Sequence, residues 1–181
     1  MKKLLVVVDY QTDFVTGALA NPLAEPLEAG IAARVTQHLS EGGAVIFTLD
    51  THPDVYEETR EGRFLPVPHC IRSTEGWQLH GALRTYMQGT HDGVMLVEKG
   101  AFGAASLPGA AMTMCGGTPQ EIEICGVVTD ICVISNAILL HSAFLETPVK
   151  IRADLCAAMS KEQHENALNI LRGMGYDIVG G

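Results

Sequence analysis

Three residues with the chemistry of a hydrolytic centre lie directly after strand-like apolar segments of this chain. Asp9 follows "KLLVVV", Lys99 ends "VMLVEK", and Cys132 lies just past "IEICGVV". A carboxylate beside a buried strand has a raised pKa, which suits a general base at neutral pH. A nearby ammonium would keep a thiolate and a carboxylate ionised, and a thiolate attacks carbonyl carbon far better than a thiol does. These residue types therefore indicate nucleophilic attack by Cys132 on a carbonyl group.

The local sequence around Cys132 predicts that a strand turns there into a helix. Thr129 or Asp130 would cap that helix and place Cys132 in its first turn, where unpaired N–H groups and the helix dipole favour a thiolate. Each residue also has a simpler interpretation: Cys132 as a small core side chain, Asp9 as a strand-end cap and Lys99 as a surface lysine. Three complementary groups at three strand ends favour the catalytic interpretation.

Continuous apolar segments alternate along the chain with amphipathic ones. Segments that are apolar throughout suit strands covered on both faces, as in a parallel sheet. The alternation predicts an α/β fold: a doubly wound, mainly parallel six-stranded sheet with helices on both faces, in a single domain over residues 1–181. For the last helix, Ser160 in "SKEQ" is the predicted N-cap. The predicted strands are 3–9, 44–50, 94–99, 122–128, 149–155 and a weaker sixth within 176–181, and the predicted helices are roughly 26–40, 76–88, 130–146 and 161–174.

Polar side chains follow the predicted strands at the point where each strand ends. Asp9, Asp50 and Lys99 end the first three strands, and Cys132 comes shortly after the fourth. In open α/β sheets, ligands bind beyond the carboxyl ends of the strands. The sequence therefore predicts that these side chains converge on one ligand site.

The composition excludes several classes of protein. Of 181 residues, 47% are hydrophobic and 18% are charged, which is typical of a globular protein rather than a disordered one. The formal net charge of −9 argues against a nucleic-acid partner. No apolar stretch is long enough to span a bilayer, so we expect no membrane partner. The five cysteines are odd in number and irregularly spaced, so we expect no disulfide framework and a cytoplasmic location.

A second group of residues could bind a metal ion. Asp50 and His52 lie two apart at the end of an extended strand, so both side chains point the same way. Glu61 and His69 follow in the irregular segment 51–75, and irregular segments of that length are usually functional or disordered. Two imidazoles and two carboxylates suit zinc, manganese or iron. The alternative is a set of solvated side chains, since a loop histidine is more often solvated than ligating.

Three segments of the chain resemble the signature segments of a known enzyme family. The family is the isochorismatase-like cysteine hydrolases, and the similar segments, in the same order and spacing, are "VVVDYQTDF", "VEKGAFGA" and "CGVVTDICV". The resemblance covers nearly the whole chain. It implies that Asp9, Lys99 and Cys132 form a catalytic triad. It also implies a cis Val127–Val128 peptide bond and an oxyanion hole formed by the N–H groups of Val128 and Cys132.

Within that family, the metal-ligand pattern is typical of the nicotinamidases. Their loop supplies D-x-H and a later histidine, and a subset resembling "H-P-E-x-R-L-F-P-P-H" uses a glutamate nine residues after the first histidine. Glu61 has that spacing from His52. The resemblance therefore implies a ligand set, with Glu57 and Glu58 as alternative carboxylates, that comprises Asp50, His52, Glu61 and His69.

The resemblance also implies which aromatic residues hold the substrate. Phe14 and Phe102 match family positions that sandwich a substrate ring, although both could instead be ordinary core phenylalanines. The family tends to have a tryptophan or phenylalanine three residues before the last metal histidine. This chain has Pro66 there, with Phe64 nearby.

The resemblance implies a metal-dependent amidohydrolase that converts nicotinamide to nicotinate and ammonia through a cysteine thioester. The metal ion would hold the pyridine nitrogen and so orient the ring. Zinc is the first choice for this ion, with manganese or iron as alternatives. Family members usually associate, so we expect a homo-oligomer. One alternative is a metal-free isochorismatase-like hydrolase of another small amide or of an enol ether. A second alternative is a non-enzymatic α/β module that serves as a partner or dimerisation unit.

Overall fold

A six-stranded, all-parallel sheet organises the computed structural model, which describes residues 2–181. In sheet order the strands are β3-β2-β1-β4-β5-β6, and every neighbouring pair is parallel. The prediction of a doubly wound parallel sheet is therefore confirmed. The strands are β1 (Leu4–Val8), β2 (Ala44–Asp50), β3 (Val94–Lys99), β4 (Ile122–Val127), β5 (Val149–Ala157) and β6 (Asp177–Val179).

Helices flank both faces of this sheet. The described residues form α1 (Thr12–Val15), α2 (Glu28–Ser40), α3 (Arg60–Phe64), α4 (Leu107–Cys115), α5 (Ile134–Ala143) and α6 (Lys161–Gly173). Short 3-10 turns lie at Glu25–Leu27, Tyr56–Glu58 and Gly81–Met87, and a π-helical turn at Thr129–Val133 precedes α5. Between residues 2 and 181, no helix combines the length and the apolar character that crossing a membrane requires.

Burial follows from this layering. Every residue of β1, β2 and β4 is buried, because these central strands are covered by helices on both sides. The strand order reverses between β1 and β4, and ligands of such sheets bind at that reversal, beyond the carboxyl ends of the strands. Asp9 follows β1 and Cys132 follows β4, so the two residues flank the reversal.

One predicted helix is wrong, and one helix was not predicted. The segment 76–88 forms only the 3-10 turn at Gly81–Met87, because Gly81 has a φ of +56° and the backbone N–H of Ala82 donates to the Glu28 side chain at 2.8 Å. Helix α4 was not predicted, because the proline and glycine in its first residues, "LPGA", are typical of a turn. Proline is tolerated in the first turn of a helix, where its missing N–H has no partner to lose.

The predicted start of the last helix is confirmed. Ser160 has extended backbone geometry, and its hydroxyl accepts a hydrogen bond from the backbone N–H of Gln163 at 3.1 Å. This bond satisfies one of the free N–H groups at the start of α6. The first turn of α6 is therefore held in place where it packs against the π-helical turn.

Gly126 allows β1 and β4 to approach each other at the carboxyl edge of the sheet. It lies opposite Val8 in the register of the two strands and has a φ of +114°. A Cβ atom at this position would lie 2.1 Å from the Val8 carbonyl oxygen. Only glycine combines this backbone conformation with this contact, directly beside Asp9 and the turn that carries Cys132.

We expect Gly126→Ala to lower the free energy of unfolding by about 3 kcal/mol or more, because the added methyl group would force the two strands apart and strain the backbone. Urea denaturation followed by circular dichroism measures the change. Gly109→Ala in α4 is the matched control, since a Cβ there meets no atom within 4 Å, and it should be neutral or stabilise by up to about 1 kcal/mol. A wild-type denaturation midpoint for Gly126→Ala would contradict this account.

Candidate active site

Asp9, Lys99 and Cys132 lie together at the carboxyl edge of the sheet. The Lys99 Nζ atom is 2.7 Å from Asp9 Oδ2 and 3.7 Å from Cys132 Sγ. The exposed fractions of the three residues are 0%, 5% and 6% respectively. The structure therefore brings the three predicted residues into one almost fully buried group.

The Asp9 carboxylate is fixed by its own backbone and by the neighbouring strand. Asp9 has a φ of +48°, in the left-handed region that aspartate tolerates better than most residues. The Thr48 hydroxyl donates to Asp9 Oδ1 at 2.6 Å. With Oδ1 held by Thr48 and Oδ2 by Lys99, the carboxylate has a defined orientation toward the sulfur.

Burial opposes the ionisation of both Asp9 and Cys132. Burial raises the pKa of Asp9, and the positive charge of Lys99 opposes that rise. Burial also raises the pKa of the Cys132 thiol well above its ordinary value; the charge of Asp9 raises it further, while Lys99 lowers it. Burial and the charge of Asp9 therefore oppose the thiolate that the helix N-terminus and Lys99 favour. Asp9 is left as the adjacent group that can accept the thiol proton.

Cys132 lies in the π-helical turn Thr129–Val133, which we call the nucleophile turn. The turn follows a cis Val127–Val128 peptide bond, as the family resemblance implied. The Val128 carbonyl accepts hydrogen bonds from the N–H groups of Ile131 at 3.2 Å and of Val133 at 3.1 Å. These bonds close the turn tightly around the cysteine.

The predicted helix cap at this turn is wrong. Val128 is the N-cap residue, and no side chain caps the turn. The Thr129 hydroxyl instead forms a hydrogen bond with the Nδ1 atom of His164 at 2.8 Å. The Asp130 Oδ1 atom is buried and has no hydrogen-bond partner within residues 2–181. Contact with α6, which local sequence does not specify, redirects the Thr129 side chain.

Asn136 in α5 holds the nucleophile turn from one side, a role that sequence reasoning missed. Its fully buried amide donates to the Cys132 carbonyl at 2.8 Å and to the Phe102 carbonyl at 3.2 Å. Its Oδ1 atom accepts from the backbone N–H of Ala104 at 2.9 Å. Asn136 thus connects the turn to the segment that follows Lys99. An asparagine inside the apolar sequence "ISNAILL" was the available signal.

Four side chains form a compact cluster next to this group. Their ligand-type atoms all lie within 4.8 Å of one another, and three of the four residues are buried. The Nε2 atoms of His52 and His69 lie 2.9 Å and 3.5 Å from Asp50 Oδ2. Glu61 Oε1 lies 3.8 Å from each of the same nitrogen atoms. The cluster comprises Asp50, His52, Glu61 and His69.

The structure separates the three candidate glutamates. Only Glu61, in the short helix α3, reaches the cluster within the described residues. Glu57 and Glu58 lie in the preceding 3-10 turn and are exposed. The Thr59 hydroxyl caps α3 by accepting from Gly62 N–H at 2.9 Å. This cap begins a new helix after Glu57 and Glu58 and before Glu61. As a result, Glu61 faces the cluster.

Two contacts outside the cluster orient its donors. The His69 Nδ1–H group donates to the Val67 carbonyl at 2.8 Å, which leaves Nε2 free to act as a ligand. The Gln11 amide donates to the Asp50 carbonyl at 2.9 Å and accepts from Asp50 N–H at 2.8 Å. Buried imidazole nitrogens and carboxylate oxygens held in this way fit a first-row divalent ion such as zinc, manganese or iron.

Asp50 connects the cluster to the catalytic group. Its Oδ1 atom accepts a hydrogen bond from Lys99 Nζ at 3.1 Å, while Oδ2 faces both histidines. Burial opposes ionisation of Asp50, but the hydrogen bonds from His52 and His69 and the charge of Lys99 hold its pKa below the usual range. Asp50 is therefore ionised and interacts with both groups at once.

A cavity of about 560 Å³ lies beside the four-residue cluster, and Asp9, Lys99 and Cys132 are not among the residues that line it. His52 and Glu61 line it from the cluster, and residues 100–102 line it from the segment after Lys99. Phe102 is half exposed in its wall, and Phe64, with 89% of its surface exposed, lies at its edge. Phe14 instead packs against the His69 ring, with 5.5 Å between the ring centroids.

Known proteins are similar to this chain in sequence and fold. The isochorismatase domain family matches residues 3–180 of the chain. A nicotinamidase/pyrazinamidase of Mycobacterium tuberculosis is 28% identical over 193 residues and 98% of each chain. The crystal structure of nicotinamidase PncA from Bacillus subtilis superposes with a TM-score of 0.86 at 29% identity, over 98% of this chain and 99% of that one. The structure of a Pyrococcus horikoshii pyrazinamidase in complex with zinc shares the fold, with a TM-score of 0.82 at 24% identity over the whole of both chains. The chain therefore belongs to the isochorismatase family of hydrolases.

Proposed function

We propose that this protein is a metal-dependent amidohydrolase that converts nicotinamide into nicotinate and ammonia. The observation that carries the proposal is the position of Asp50, which contacts Lys99 through one oxygen and the two histidines of the cluster through the other. A nucleophile held at a short, fixed distance from a metal site suits an amide attached to a ring that contains a nitrogen ligand. Relatives named as nicotinamidases support the same substrate.

The metal ion would be held by the four-residue cluster. Zinc is the first choice, with manganese and iron as alternatives. When bound, the ion supplies a Lewis-acidic position for the lone pair of the substrate's ring nitrogen. The chain itself orients the donors for this purpose, since Val67 fixes the tautomer of His69 and Gln11 fixes the backbone of Asp50.

The first chemical step joins the sulfur to the substrate. Asp9 accepts the thiol proton of Cys132, and Sγ attacks the carboxamide carbon. The backbone N–H groups of Val128 and Cys132 donate to the oxyanion, and one such donor typically lowers the barrier by about 3 kcal/mol. Lys99 stabilises the negative charge as it moves from carboxylate to sulfur.

The second half of the reaction releases ammonia and then the acid. Asp9 returns its proton to the departing nitrogen as the C–N bond breaks, which leaves a thioester on Cys132. Asp9 next accepts a proton from a water molecule that attacks the thioester carbon. The C–S bond then breaks, nicotinate leaves, and the thiol regains its proton.

The substrate ring would lie between aromatic side chains near the two groups. Phe14 is packed beside His69, and Phe102 forms part of the cavity wall. Rings at these positions can contact the faces of a flat heteroaromatic substrate and exclude water from the carbonyl group. The remaining volume of the cavity provides the route for entry and release.

The location and assembly of the protein are also part of the proposal. A catalytic thiol must stay reduced, which suits the cytoplasm as the location of the enzyme. Its assembly as a homo-oligomer remains a prediction that light scattering in solution tests directly.

We expect Cys132→Ala to lower kcat for ammonia release from nicotinamide by about 10⁴-fold or more, because no other group can form the thioester. A coupled ammonia assay measures the rate. Cys115→Ala is the matched control, since Cys115 is a buried thiol in α4 outside the site, and it should keep the wild-type rate. If Cys132→Ala retained a tenth of the activity, sulfur could not be the nucleophile.

We expect Glu61→Gln to weaken binding of the divalent ion by roughly tenfold to a hundredfold, because it replaces a charged ligand by a neutral one. Elemental analysis and competition with a chelator measure the affinity independently of activity. Glu58→Gln, in the exposed turn before α3, should change nothing. Wild-type protein that lacks a bound ion, or activity that a chelator does not affect, would favour the metal-free hydrolase instead.

We expect benzamide to react with a kcat/KM roughly a thousandfold below that of nicotinamide, because its ring lacks the nitrogen that meets the metal site. Both amides have the same shape, so the comparison isolates the ring nitrogen. Ammonia release at matched concentrations measures the ratio. Equal rates for the two amides would show that the cluster does not position the substrate.

A further inference from the structure

Helix α6 packs against the nucleophile turn. His164, in the first turns of α6, lies with its Nδ1 atom 2.8 Å from the Thr129 hydroxyl. Thr129 is completely buried. A buried hydroxyl requires a hydrogen-bond partner. His164 is that partner, and it lies in α6, the helix that follows β5.

Thr129 occupies a sensitive position in the chain. It follows Val128, whose N–H group is one proposed oxyanion donor, and it begins the turn that carries Cys132 three residues later. A rotation of the Thr129 backbone would therefore move the donor and the sulfur relative to each other. Reactions of this kind are sensitive to such movement, since a displacement of about 1 Å can cost about a hundredfold in rate.

Side chains from two helices attach to the turn. In α5, Asn136 donates to the Cys132 carbonyl and Ser135 donates to the Ile131 carbonyl at 2.6 Å. In α6, His164 bonds to Thr129 at the start of the turn. Because the turn continues directly into α5, the bond from His164 attaches it to a helix other than its own. Ser160 caps α6 four residues before His164 and so fixes the position of the imidazole.

The protonation state of His164 suits this contact. Burial lowers its pKa, the charge of Glu165 raises it, Arg172 lowers it and Asp130 raises it, with a net decrease. The ring is therefore neutral at neutral pH. A neutral imidazole can accept the hydroxyl proton at Nδ1 or donate to the hydroxyl oxygen, and either arrangement satisfies Thr129.

We propose that His164 is a positioning residue for the hydrolytic reaction: through Thr129 it holds the nucleophile turn so that the Cys132 sulfur and the Val128 N–H group meet the same carbonyl. The proposal rests on the proposed function, because it requires Cys132 to be the nucleophile. His164 acts through Thr129, which distinguishes it from the groups that react with substrate.

The test compares kcat and KM for nicotinamide in His164→Ala and His164→Asn. We expect His164→Ala to lower kcat by about ten- to a hundredfold, with an unchanged KM and unchanged metal content. Asparagine places a polar atom near the position of Nδ1, so His164→Asn should recover most of kcat. Asn166→Ala, an exposed position of α6, is the control and should behave as wild type.

A double-mutant cycle tests whether the effect passes through Thr129. Thr129→Val keeps the shape of the side chain and removes the hydroxyl, so it should lower kcat as much as His164→Ala does. The double variant should be no slower than either single variant, because the two residues act as one unit. If His164→Ala does not fold, His164→Asn and Thr129→Val alone carry the test.

Alkylation of Cys132 by iodoacetamide, followed by mass spectrometry, provides a readout that does not depend on nicotinamide. We expect the rate to fall in His164→Ala and in Thr129→Val along with kcat. A wild-type enzyme inactive on nicotinamide would end the proposed function, while the alkylation rates would still decide the role of His164. Wild-type kcat and alkylation in His164→Ala, a change in KM alone, or additive losses in the double variant would overturn the proposal.

Discussion

The Lys99 ammonium lies between two buried carboxylates, 2.7 Å from Asp9 and 3.1 Å from Asp50. Each of these charges would be strongly unfavourable in the interior without the others, so the three residues must be placed together. They follow or end β1, β2 and β3, whose parallel alignment brings their carboxyl ends to one edge. The geometry of the site depends on this ion triplet, because one carboxylate faces the sulfur and the other faces the metal-type cluster.

The other half of the sheet provides the nucleophile by a different kind of constraint. There the contacts are neutral: Gly126 permits close approach of β4 to β1, and hydrogen bonds from α5 and α6 hold the turn beyond β4. A charged network is tolerant of small displacements because Coulomb forces fall off slowly with distance, whereas hydrogen bonds are short-ranged and directional. The residues after β1, β2 and β3 therefore set the electrostatics of the site. The nucleophile turn after β4 sets the direction in which the sulfur points.

Local patterns account for the parts of the fold and site that were predicted correctly. Apolar segments covered on both sides specify buried parallel strands, and the period of two in a strand places Asp50 and His52 on the same side. The capping pattern at Ser160 also depends only on neighbouring residues. Predictions failed where local signals were ambiguous. Helix α4 was missed because its proline and glycine suggest a turn, and the predicted helix 76–88 is interrupted at Gly81, which has a positive φ.

The sequence by itself determined the strands, the residue types at their carboxyl ends and the order of the segments that mark the family, because these depend on neighbours along the chain. The tertiary structure brought Glu61, which the family spacing had favoured, next to the histidines and left Glu57 and Glu58 exposed. It also decided that Thr129 bonds to His164 instead of capping its own helix, and that burial raises the pKa of Cys132. Such outcomes depend on distances and solvent exclusion between residues far apart in sequence, which no local pattern encodes.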